Sequence, residues 1–159
     1  MSDVKHGDIF VEFYLGYISN IAYTMVRVHS DATSDLLGIK TVDPTSFYRL
    51  VAFIEQLKCD SRLIANLLDH GFGDDKNEPI SVKKWINIHN VERLPVWRMR
   101  AWNLERQGLM YRLIYCYHWP DKSYNIMAIV HRGKLNYDDP NDPIRKRVTT
   151  RVKEEFPRA

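Results

Sequence analysis

The sequence has only two cysteines, Cys59 and Cys116, too few for a disulfide framework or a Cys-rich zinc site. A reducing cytoplasm is therefore the expected compartment. No uninterrupted apolar run approaches the ~18–20 residues of a membrane span, and mean hydropathy is −0.40, so no membrane partner is expected. The opening MSDVKHGDIF has no basic segment followed by an apolar one, so a secretory leader is not expected either. Internal repeats and low-complexity tracts are missing. So is a carboxylate cluster of metal-ligand type, and the expectation is a site with no metal and no cofactor.

What is present is ordinary globular material. The 159 residues are 45% hydrophobic and 27% charged, enough for one domain with a real core. Net charge is only +3, but it is unevenly distributed. Residues 1–80 carry seven Lys and Arg against twelve Asp and Glu; residues 81–159 carry sixteen against eight. A basic half is what a polyanionic partner attracts, through release of phosphate counterions. Basic residues that simply solvate a surface would give the same count.

Residues 1–40 resist assignment and read as an N-terminal extension. Within them Ile9–Leu15 has strand composition, and Ile21–Val28 fits a strand or a helix. Residues 41–159 read as the main domain. Asp43 and Pro44 start a helix whose apolar face is Phe47, Leu50, Val51, Ile54 and Leu57. A second helix is expected from Asp60 or Ser61, with Leu63, Ile64, Leu67 and Leu68 inward and Gly71 ending it. The two should form a hairpin over 44–70. Residues 71–79 read as a loop, and Ser81–His89 stays undecided. From Pro95 the period changes. Residues 96–102, 109–117 and 124–131 read as three strands of an antiparallel meander, joined by a turn at 103–108 and by HWPDKS. The expected class is α+β, with the hairpin covering one face of an antiparallel sheet of three or more strands. The charged tail 144–156 reads as a short helix exposing Arg145, Lys146 and Arg147.

One constellation can carry chemistry. Arg98 and Arg100 share a face of the first strand, Arg112 lies on the next, and His131 and Arg132 end the third, with Tyr137 shortly after. Neighbouring strands are ~4.8 Å apart, so such residues can converge. Arginine offers fixed planar donors to phosphate oxygens, a cluster of them stabilises a phosphorane, and His or Tyr can move protons. Each residue also has a plainer reading. Arg98 and Arg100 fit the wet face of a strand. Arg112, between apolar neighbours, fits either an ion-paired structural residue or a site residue. His131 fits a structural histidine and Tyr137 a packing residue. Tyr111, Tyr115 and Tyr117 have the opposite parity to Arg112 and read as core.

At these residues the sequence resembles the RelE/ParE superfamily of toxins from type II toxin–antitoxin pairs. The matching pattern is Trp97-Arg98-Met99-Arg100, then Tyr111-Arg112-Leu113-Ile114-Tyr115, then the basic pair His131-Arg132 followed by Tyr137. It covers residues 94–139 best and 45–140 more loosely. The resemblance implies a RelE-like fold and a ribosome-dependent mRNA endonuclease that works without a metal, the 2′-OH attacking the adjacent phosphate. It implies mRNA on the ribosome and a cognate antitoxin as partners, with assembly into a complex with that antitoxin. Arg112, Arg132, His131 and Tyr137 match catalytic positions; Arg98, Arg100 and Lys134 fall to RNA binding. ParE-type members share the fold and poison DNA gyrase, so a non-nucleolytic toxin or interaction module is the alternative. The chain is longer than the usual toxin, and residues 1–40 have no counterpart in the family.

Overall fold

The computed structural model describes residues 26–157. The expected strand at Ile9–Leu15 lies outside the described residues. A short strand β1 (Val26–Val28) leads into helix α1 (Ser30–Val42), then α2 (Pro44–Cys59) and a single turn α3 (Ser61–Ala65). Four strands follow: β2 (Ile80–Lys84), β3 (Val96–Ala101), β4 (Tyr111–His118) and β5 (Ser123–His131). A five-residue helix α4 (Trp102–Arg106) joins β3 to β4, and α5 (Pro143–Glu155) closes the chain.

The architecture is α+β around a five-stranded mixed sheet of order β1-β5-β4-β3-β2. β2 to β5 are antiparallel neighbours, whereas β1 runs parallel to β5, with Val26 opposite Tyr124. The expectation of an antiparallel sheet thus holds for the meander and fails at the edge. α1 crosses residues 40 and 41, where the sequence reading placed the edge of an N-terminal extension. Residues 26–42 belong to the same sheet and core, with Val26, Ala32 and Leu36 buried among the residues of the meander.

Local chemistry explains the helix starts. Asp43 accepts from the Ser46 amide at 3.2 Å, Asp60 from Leu63 at 3.0 Å, and Asp142 from Ile144 at 2.9 Å; each satisfies an amide that the first turn leaves open. Pro44 and Pro143 sit at first positions that need no donor. The second expected helix is much shorter than predicted. It stops at Ala65 and gives way to turns, because the chain must reach the edge of β2: the Gly71 amide donates to Val82 O and the Val82 amide to Phe72 O. Gly71, expected to end that helix, has φ +96° but turns the chain into this edge contact. The long helix α2 packs on α1 instead, and their apolar sides share one cluster with the sheet.

Both sheet faces are covered. Phe47, Leu50, Ile54 and Leu57 meet Trp97, Met99, Leu113 and Tyr115 on one side. Val148 and Val152 of α5 meet Val96, Ile114, Cys116 and Ala128 on the other. Each such side chain stabilises the fold by about 1.5–3 kcal/mol. The tail helix is present, but two of its arginines are not free. Arg145 is buried against Glu92, and Arg147 makes a paired contact with Asp35 at 2.9 and 2.6 Å. Asp35 also accepts from the Ile129 amide at 2.9 Å, tying α1, α5 and β5 together. No helix among the described residues is long and apolar enough to cross a membrane.

Candidate functional site

The ladder register decides which charged residues share a face. Lys83 lies opposite Arg98, and Ser81 opposite Arg100. Arg98 lies opposite Ile114, and Arg112 opposite Val130. Side chains directly opposite point the same way, and the period is two. Ser81, Lys83, Arg98, Arg100 and Arg112 therefore all stand on the face that α5 covers further along with Val148 and Val152. Beyond the reach of α5 this face forms an open cleft of about 340 Å³, lined by those five residues with Arg132, Gly133, Leu135 and Tyr137.

The walls are fixed by packing. Arg98 lies over the Tyr137 ring at 4.1 Å, and Arg100 over the Trp102 ring at 4.3 Å, geometries in which the ring face attracts the guanidinium. The Tyr137 carbonyl accepts from the Trp85 indole at 3.1 Å and from the Asn87 amide at 3.3 Å. Those bonds hold the loop after β5 over the sheet. The Tyr137 hydroxyl is buried and has no hydrogen-bond partner among the described residues. A polar atom in that state costs free energy until something binds it.

At the inner end, Glu105 from α4 bridges two arginines. Its carboxylate accepts from Arg100 Nε and Nη2 at 3.2 and 2.9 Å and from Arg112 Nη1 at 2.5 Å. The Glu105 and Arg112 side chains are 9% and 8% exposed. Burial alone would raise the Glu105 carboxyl, but the Arg100 hydrogen bond and the Arg112 charge outweigh it and hold the group below its ordinary value. Burial lowers the Arg112 guanidinium, with the Arg100 charge adding to the effect and Glu105 opposing it. In the loop before β2, Asp74 accepts from Ser81 Oγ at 2.7 Å and pairs with Lys83 at 3.3 Å. Among the described residues, Arg98 and Arg132 have no carboxylate partner.

Of the residues singled out from the sequence, the structure brings Arg98, Arg100, Arg112, Arg132 and Tyr137 to one cleft. It leaves out His131 and Lys134. His131 pairs with Tyr111, one residue out of phase with Arg112, so it belongs to the other face, where its ring meets Tyr111 at 5.6 Å. Lys134 is exposed on the turn Arg132–Lys134, away from the lining. Arg112 is ion-paired to Glu105 and also lines the cleft. Sequence reasoning missed Ser81, Lys83 and Glu105. The alternation Ile80-Ser81-Val82-Lys83 was a usable signal for the first two, since Ile80 and Val82 are fully buried. Glu105 had none, because residues 103–108 read only as a turn. Among the described residues no group of three or more His, Cys, Asp or Glu is placed to hold a metal ion.

Compared with known proteins, the chain matches no protein-family model, no curated protein and no solved structure.

Proposed function

We propose that the protein is an endoribonuclease of the RelE kind, a toxin that cleaves mRNA on the ribosome by metal-independent attack of the 2′-OH on its own phosphodiester. A RelE-like architecture and a cognate antitoxin belong to the same proposal. The observation that carries it is the convergence of Arg98, Arg100, Arg112 and Arg132 on one cleft beside an unpartnered Tyr137 hydroxyl. Four guanidiniums give a phosphodiester fixed donors for the charge that grows on its non-bridging oxygens. In the reaction the 2′-oxygen loses its proton and bonds to phosphorus, the bond to the 5′-oxygen breaks, and that oxygen takes up a proton. The Tyr137 hydroxyl is the uncommitted group in the cleft that can relay a proton.

Primer extension on an mRNA translated in a cell-free system tests this. Discrete cuts that need the wild-type protein and active ribosomes are expected; intact message at any protein concentration would end the nuclease proposal.

One observation favours a second reading. Among the described residues the cleft lining has no imidazole, since His131 lies outside it, and the two carboxylates beside it are already engaged by Arg100, Arg112, Ser81 and Lys83. A module that binds a polyanion or a protein without cutting, such as a gyrase poison, needs no proton relay. Inhibition of DNA supercoiling by gyrase, with message left intact, would select it.

A further inference from the structure

The most constrained part of the cleft is the Arg100–Glu105–Arg112 group. One carboxylate faces two guanidiniums, so the group keeps a net positive charge while two of its three side chains are almost fully buried. Both carboxylate oxygens are used by the two guanidiniums. Among the described residues no protein hydrogen bond engages Arg112 Nε or Nη2, or Arg100 Nη1. Tyr137 shares this lining, with its ring beneath Arg98. Without a carboxylate between them, two guanidiniums on adjacent strands would repel and separate.

We infer that Glu105 is a positioning residue: it fastens Arg100 and Arg112 side by side, so that their remaining N–H groups receive a single phosphate group of the RNA backbone. This rests on the cleft being an RNA-backbone site. The five-residue helix α4 exists, on this view, to deliver Glu105 from behind, with Trp102 of the same helix flattening the Arg100 guanidinium from the other side. The arginine pair then acts as one preorganised fork, as supporting residues do around other charged sites.

The sign of one substitution separates positioning from simple charge. Glu105→Gln removes a negative charge from an anion site, so charge alone predicts tighter binding. Positioning predicts the reverse. The experiment titrates wild type and Glu105→Gln with a five-nucleotide single-stranded RNA and, separately, with inorganic phosphate, alongside a thermal melt of each protein. The expected result is roughly tenfold weaker binding of both probes by a folded variant. Unchanged or tighter binding would overturn the inference while leaving the RNA site standing. A wild-type protein that binds neither probe would overturn both.

A double variant guards against misfolding. Arg112→Met with Glu105→Leu replaces the buried pair by apolar groups of similar size, an exchange that proteins commonly tolerate. It should bind RNA no more tightly than Arg112→Met alone, because Glu105 acts only through the arginines and still holds Arg100 in the single variant. Binding by the double variant clearly tighter than by Arg112→Met would show Glu105 acting as a free repelling charge, and would likewise overturn the inference.

Discussion

Tyr137 is the residue whose chemistry is easiest to isolate. Its ring is held by Arg98 at 4.1 Å and by Trp85 at 5.1 Å, whereas its hydroxyl bonds to nothing. Tyr137→Phe therefore removes no interaction from the folded state, and the melting temperature should stay equal or rise. If the hydroxyl relays a proton, message cleavage should fall by about 10²-fold while RNA binding changes little. Primer extension and a binding titration on the same preparation check this, and undiminished cleavage would remove Tyr137 from the chemistry. Glu105 yields a second expectation, for pH. Against the effect of burial, the Arg100 hydrogen bond and the Arg112 charge hold its folded value below the ordinary carboxylate value, so the stability it contributes is present above the ordinary value and disappears as pH falls through the folded one. The gap in melting temperature between wild type and Glu105→Gln should be open at neutral pH and close as acidification passes through that depressed value. A gap that widens in acid would mean the carboxylate is not charged in its bridge. The sequence made Arg112 visible by its apolar neighbours, yet offered no sign of its partner, because Glu105 sits in a segment with only turn composition.

Among the elements, those with strong periodicity or a capping pair were legible and those made by distant contacts were not. Asp43-Pro44 and the Phe47–Leu57 face announce α2 locally, and the alternation Trp97-Arg98-Met99-Arg100 announces β3 with its correct faces. β1 is three residues long and gains its identity only from a parallel neighbour far along the chain. Periodicity carries no trace of such a partner. The helix expected up to Gly71 failed for a related reason: the edge of β2 takes residues 71 and 72 as backbone partners, and that tertiary contact overrides the local pattern of Leu67 and Leu68. Gly73 in the same loop makes the dependence testable. Its φ is +74°, and a Cβ there would lie 1.7 Å from the Ile80 carbonyl oxygen. Its own carbonyl accepts from the Trp102 indole at 2.8 Å, and the next residue, Asp74, holds Ser81 and Lys83. Gly73→Ala must shift backbone, so it should cost at least about 2 kcal/mol in thermal unfolding and weaken RNA binding together. A variant as stable as wild type would show that this loop does not anchor β2.

At the scale of the whole molecule, the charge asymmetry has two components that the sequence could not separate. Much of the basic half is neutralised by acidic residues from earlier in the fold: Arg147 by Asp35, Arg151 by Asp31, and Arg145 and Lys153 by Glu92. These pairs fasten α5 to the rest of the molecule and are not offered to a ligand. The cleft is different. Its five cations, Lys83, Arg98, Arg100, Arg112 and Arg132, face only the carboxylates of Asp74 and Glu105, which leaves a surplus of about three charges. Counterion release by single-stranded RNA gives a slope of about −0.7 per neutralised phosphate in log affinity against log salt. A slope near −2 is thus expected, far shallower than sixteen basic residues acting together would give. Arg132→Ala should reduce the slope by roughly 0.7, since Arg132 has no carboxylate partner among the described residues. Arg147→Ala should leave the slope alone and lower the melting temperature, because it strips a partner from Asp35, whose side chain is 17% exposed. Titrations between 50 and 200 mM salt distinguish the two arginines. An equal loss of slope in both variants would mean that RNA lies along α5, and that the cleft is not where the charge is read.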